Sequence, residues 1–248
     1  AGSNALVAAY NTTNIDTSDF ISNTTVAIYV GAVNQALQIS NSHFYWNRNG
    51  GAASVIYLNG QSGTVPVLTL TNSSLMSNTA AGGAIYNYGG KVTISNTAFV
   101  SNTSNNSSGA LYLDYPNVVQ VLSSTFQLGM GGGIYVNGSA NPLIISDSLF
   151  ISNTSQFSAG AIDAGTLTVT HSSFISNTSY SGGSGAIDAS RQAYITGSTF
   201  LTNTGYWAGA MELSSGGFGP FYDVVANSVI KGNTSTSQGG GGIRATQH

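Results

Sequence analysis

The stretch "FISNTS" at 150–155 returns unchanged at 174–179, with "FVSNTS" at 99–104 and "FISNTT" at 20–25. Aligned on its asparagine, this aromatic-x-x-Asn element ends at Asn23, Asn47, Asn102, Asn153, Asn177 and Asn203. Weaker copies put Leu75 before Asn78 and Ile230 before Asn233, and "FQLG" at 126–129 has Gly129 in place of the asparagine. The nine marks lie 24, 31, 24, 27, 24, 24, 26 and 30 residues apart, so the modal period is 24. A period of this size belongs to a solenoid or a propeller.

Two further elements keep step with the first. One follows each mark after a variable gap: "GGAIY" 82–86, "SGALY" 108–112, "GGGIY" 131–135, "AGAID" 159–163, "SGAID" 184–188, "AGAME" 208–212 and "GGGIR" 240–244. The other precedes it, as in "KVTISNTAF" 91–99 and "PLIISDSLF" 142–150. All three alternate apolar with small or polar residues and favour Val, Ile, Thr and aromatics, which is the two-residue period of a strand. No stretch has helical spacing. Three short strands per repeat leave no room for crossover helices, so equivalent strands of successive coils stack in parallel about 4.8 Å apart. The expectation is an all-β, single-stranded parallel β-helix of about nine coils with three strands per coil. It forms one domain over 1–248: an incomplete first coil at 1–19, regular coils over 20–243, and a short end at 244–248.

In that coil Phe20, Phe99, Phe126, Phe150, Phe174 and Phe200 point inward as an aromatic column, each burying about 150–200 Å². The corner asparagines are expected in left-handed backbone geometry, their amides bonded to the asparagine one coil away. The small Gly-Ala pair suits close backbone packing. The same asparagines create N-glycosylation sequons at Asn23, Asn102, Asn153, Asn177 and Asn233. Corner chemistry explains these without a glycan.

The paired motifs "GGA-I/L" and "F-x-x-N", from about Phe20 to Ile243, resemble the repeats of the chlamydial-type polymorphic outer-membrane proteins. That resemblance implies a right-handed β-helix passenger, displayed at the cell surface and associated with adhesion. It supplies no catalytic residues. The chain departs from the family in having no cysteine and in its degenerate copies at Asn47, Leu75 and Gly129.

Composition narrows function further. Only 5 basic and 8 acidic residues occur in 248, for a net charge of −3. No basic stripe is available for nucleic acid, and no apolar run approaches the roughly 20 residues of a spanning helix. Absence of cysteine excludes disulfides and thiolate metal sites. Low charge with abundant Asn, Ser, Thr and Gly suits an extracellular or cell-surface protein. His43, His171 and His248 fall on different coils, His171 being read as an outward strand residue, and no nucleophile elbow, phosphate loop or zinc-protease stretch is present. Five bases are too few for a lyase cleft binding an acidic polysaccharide, and the threonines are too irregular for an ice-binding face.

Aligning the Gly-Ala element puts Asn34, Ser54, Tyr86, Tyr112, Tyr135, Asp163, Asp188, Glu212 and Arg244 in one outward column. Stacked carboxylates raise one another's pKa unless a cation or proton relieves them. Asp163, Asp188 and Glu212 are therefore candidates for a Ca²⁺ or glycan site, or for the acid pair of a polysaccharide-active enzyme. The plainer reading is an acidic strip offset by Arg244, with no cofactor needed. Phe157, Tyr180, Tyr206 and Trp207 gather in the turns before these strands, beside the insertion 213–223, and are candidate contact aromatics for a glycan, for the core edge or for a neighbouring molecule. Neither end carries a recognisable cap, which points to a segment of a longer surface protein or to copies stacking end to end. The function expected is that of a non-enzymatic stalk, adhesin passenger or filament subunit. Its partners are itself, the rest of a surface protein or surface glycans, without nucleic acid or membrane insertion.

Overall fold

The structure is a computed structural model that describes residues 7–9, 12–31, 35–60, 64–105, 108–138, 141–215, 222–237 and 239–247. Every named element is a β-strand, and all pairings between them are parallel. The chain is an all-β solenoid. Nine aromatic-x-x-Asn strands, from Asp19–Ile21 to Val229–Lys231, form one continuous sheet in chain order, which makes about eight turns. The other two expected segments merge into one 17-stranded sheet, because Ile162–Thr170 and Ile187–Thr196 run through both without a break. The strands Val7–Ala9 and Thr12–Asp16 already pair in register with the coil after them.

A fourth, two-residue strand follows most ladder asparagines, as at Thr154–Ser155 and Thr178–Ser179. It is interrupted at the Gly129 copy, where Met130 makes only single bridges to Thr103 and Thr154.

Alternation carries the core. In Leu149–Ile151 the middle residue is buried and its neighbours are half-buried, and the same holds for Ser173–Ile175. Phe99, Phe126, Phe150, Phe174 and Phe200 stack with centroids 4.7–4.9 Å apart and planes within 7°. Burying each ring contributes about 2–3 kcal/mol. Phe44 belongs to this column, stacked on Phe20 at 4.8 Å, so the Asn47 copy is regular rather than degenerate. Leu75 sits in register between Phe44 and Phe99.

Each Asn donates its backbone N–H and Nδ2 to Oδ1 of the next: Asn47 to Asn78, Asn78 to Asn102, Asn153 to Asn177, Asn177 to Asn203 and Asn203 to Asn233. Asn23 opens the ladder onto Asn47. At the break, Gly129 N–H still reaches Asn153 Oδ1 at 3.0 Å. The left-handed residue is not the asparagine, as the sequence suggested, but its predecessor: Ser22, Trp46, Ser77, Ser101, Leu128, Ser152, Ser176 and Thr202 have φ of 52–56°. That bend turns the following N–H along the solenoid axis, where it meets the neighbouring amide. A second left-handed corner holds Thr17, Asn41, Asn72, Asn96, Ser123, Asp147 and His171. His171 is thus an exposed corner residue and not part of a strand.

After that second corner runs a serine ladder. Ser18, Ser42, Thr97, Ser124, Ser148, Ser172 and Ser198 each donate N–H to a seryl Oγ one coil on. Backbones approach closely at the Gly-Ala element: a Cβ on Gly185 would lie 2.2 Å from the Gly209 carbonyl oxygen.

Candidate functional site

The outward column is real, but its first two members differ from the expected ones. Register runs Tyr29, Tyr57, Tyr86, Tyr112, Tyr135, Asp163, Asp188, Glu212, Arg244. Ser54 is fully buried three residues before Tyr57, and Asn34 lies outside the described residues. The sheet preserves the Ile-Tyr dipeptides at 28–29 and 56–57, whereas the Gly-Ala pair at 51–52 lies in the bend before its strand.

The first half of the column is a tyrosine stack. Tyr29, Tyr57, Tyr86 and Tyr112 lie 5.1–5.5 Å apart with planes within 12°, and Tyr135 joins at 5.1 Å with a 38° tilt. Tyr86 donates its hydroxyl to Asp114 Oδ2 at 3.0 Å, and Asn137 Nδ2 holds Oδ1 at 2.9 Å. Burial first, then the Asp114 carboxylate, pushes the Tyr86 and Tyr112 phenols above their usual range. Tyr57 is raised by burial and by Tyr29, and Tyr135 by burial and Asp163. With each ring face covered by the next ring, the stack offers edges and hydroxyls to solvent rather than platforms for a sugar.

The second half is acidic. Burial pushes the Asp163 carboxyl up to about 7. Asp188 is pushed up to about 8, by burial first and then by Asp163, although it accepts the Ser184 N–H at 3.0 Å. Near neutral pH the two carboxyls therefore titrate as a coupled pair and are not both fully charged. Glu212 is already engaged: Arg244 Nη1 lies 2.9 Å from its Oε1, and the same guanidinium sits 4.8 Å over the Trp207 ring. Among the described residues no group of three or more His, Cys, Asp or Glu side chains is arranged to hold a metal ion.

The candidate aromatics do not form one platform. Phe157 and Tyr180 stand out singly at 73% and 59% exposure. Tyr206 and Trp207 meet edge to face at 4.7 Å and, with Ser237, Gly239 and Arg244, line an open depression of about 410 Å³. Part of the adjoining insertion, 216–221, lies outside the described residues, as does His248. His43 Nδ1 is bonded to Ser74 Oγ at 2.8 Å. The sequon asparagines Asn102, Asn153 and Asn177 are buried, and their Nδ2 atoms are committed to Leu75, Phe126 and Phe150 carbonyls. They are structural in the folded chain.

Sequence reading placed Tyr86, Tyr112 and Tyr135 in one column, as the sheet does, but missed Tyr29, Tyr57 and the stacking of the rings, and it missed the serine ladder. The latter had a signal, Ser two residues before the ring in "SHF" 42–44, "STF" 124–126, "SLF" 148–150 and "SSF" 172–174. Comparison with protein-family models, curated proteins and solved structures found no match to this chain.

Proposed function

We propose that the chain is a non-enzymatic structural β-solenoid of the extracellular space or cell surface, a stiff spacer of the adhesin-passenger or filament kind. One observation carries this reading: coil after coil keeps its register, and the repeated side chains are spent on the ladders and the core. Glu212 is paired with Arg244, and Asp188 accepts the Ser184 N–H. Low charge, no cysteine in 248 residues and the resemblance to polymorphic outer-membrane repeats support the location.

The experiment pairs shape with activity. Small-angle scattering of the monomer is expected to give a short rod, and glycan cleavage is expected to be nil with a panel of neutral and acidic polysaccharides. Cleavage lost in the Asp188→Asn, Glu212→Gln variant would overturn the structural reading in favour of a polysaccharide-active enzyme.

A further inference from the structure

Asp163 and Asp188 hold the same outward position on adjacent coils. Ile162–Thr170 and Ile187–Thr196 pair in parallel there, with Ile162, Asp163 and Ala164 opposite Ile187, Asp188 and Ala189. Neighbouring strands lie about 4.8 Å apart, so two side chains of equal length start from that spacing. The flanking Ile162, Ala164, Ile187 and Ala189 are core residues, and the backbone cannot swing the acids apart without unpacking them. Like charges directly opposite one another destabilise a sheet unless something relieves them.

No protein group supplies that relief among the described residues. The Arg244 guanidinium is taken by Glu212 and the Trp207 ring. No hydrogen bond or ion pair reaches Asp163, whose carboxyl is acted on by burial alone. Asp188 is acted on by burial first, then by Asp163, the Ser184 donors and Glu212, with no base among them. Its two oxygens receive the Ser184 N–H at 3.0 and 3.2 Å. The Ser184 side chain adds an independent observation. Its Oγ is fully buried and has no hydrogen-bond partner, yet it lies close enough to the Asp188 carboxyl to act on it. Buried hydroxyls are normally paired, so an unpaired one beside two unbalanced carboxyls points to a ligand that takes oxygen lone pairs.

The donor set says which ligand. Carboxylate and hydroxyl oxygens are hard and suit Ca²⁺ or Mg²⁺ rather than zinc or copper. Oxygens on opposite sides of a Ca²⁺ ion, each about 2.3–2.6 Å away, lie about 4.6–5.2 Å apart, which brackets the strand spacing. Mg²⁺, at about 2.0–2.1 Å, spans less than that spacing. Charge agrees: with Glu212 offset by Arg244, the ionised pair carries two negative charges, which one divalent cation balances. Both acids are only half-buried, so an ion can enter from solvent and water can complete its shell of about six to eight oxygens.

We propose that Asp163, Asp188 and the Ser184 hydroxyl form a Ca²⁺ site that clamps two successive coils together. Glu212, which the sequence groups with these acids, stays outside it because Arg244 already holds it. The site adds a ligand to the solenoid and does not depend on the structural reading above.

The test uses the full 248-residue chain, stripped with a chelator and titrated with calcium chloride at pH 8 in a calorimeter. One ion per chain is expected, with a dissociation constant of about 10⁻⁴–10⁻³ M. Asp163→Asn and Asp188→Asn are each expected to weaken binding about tenfold or more, and Ser184→Ala about threefold. Asp147→Asn, at an exposed corner, leaves it unchanged. Asparagine reproduces the shape of a neutral carboxyl, so both variants should keep the wild-type circular dichroism. Terbium gives a readout that needs no change at the ligands. Tyr135 lies in register beside Asp163 and should sensitise terbium emission; calcium should displace that signal, and Tyr135→Leu should dim it while calcium affinity holds. A wild-type chain with neither calcium heat nor sensitised emission overturns the proposal, as does binding undiminished in the Asp163→Asn, Asp188→Asn double variant. Either failure leaves the rod shape and the glycan assay, on which the structural reading stands, untouched.

Discussion

Asn177 shows what one position in this solenoid must accomplish. Its Nδ2 serves Phe150 O and Asn203 Oδ1 while its Oδ1 receives the N–H and Nδ2 of Asn153. Aspartate has the same shape but no donor, and it brings a charge, so Asn177→Asp is expected to cost about 3 kcal/mol or more in chemical denaturation. Asp163 and Asp188 act with the opposite sign. Their folded pKa values of about 7 and 8 exceed the ordinary 3.8, so their neutral forms favour the fold. That stability is complete below about pH 4. It is lost as pH rises through 7–8, with a slope of up to about 1.4 kcal/mol per pH unit for each group. Asp188→Asn should flatten this decline when thermal midpoints are followed from pH 4 to pH 9. The asparagine ladder was legible because its residue type is required. The left-handed corners were not, since Trp46 and Leu128 occupy them as readily as serine and composition gives no hint.

Among the elements, the strand Thr125–Gln127 leads into the ladder's one gap. Gly129 N–H already makes the bond that each ladder asparagine makes, but there is no amide to receive Asn102. Gly129→Asn is expected to close the gap and raise the unfolding free energy by about 1–2 kcal/mol, part of it from a less flexible unfolded chain. A small loss instead would mean that the close approach to Gly132 O is not relieved. The contrary case is Gly185→Ala, which should destabilise by several kcal/mol because its new methyl meets backbone rather than a movable side chain. Strand identity could be read from alternation and spacing. Register in the early coils could not, because the Gly-Ala pair at 51–52 imitates the strand element from a bend, and only the sheet shows that Ile28-Tyr29 and Ile56-Tyr57 are its members.

For the whole molecule the stacking geometry makes coils interchangeable. Phe150 lies directly over Phe174 with 24 residues of chain between equivalent points, so removing 150–173 excises one complete turn. The shortened chain is expected to keep its β-sheet circular dichroism and to lose about 4.8 Å of length in scattering. Collapse of the fold on this deletion would show that the coils are not equivalent units. Repetition is why the architecture was readable from letters alone. Contacts between the outward side chains were less so: Arg244 reaches Glu212 and Trp207 together, a meeting set by loop paths of unequal length.

The tyrosine stack gives the molecule an optical property. Phenol chromophores held nearly parallel at 5.1–5.5 Å couple electronically, so excitation is shared along the row instead of staying on one ring. Near-ultraviolet circular dichroism should show that coupling as a paired band, and Tyr86→Leu, in the middle of the row, should split it into two weaker reporters. The rod thus carries a spectroscopic gauge of its own straightness.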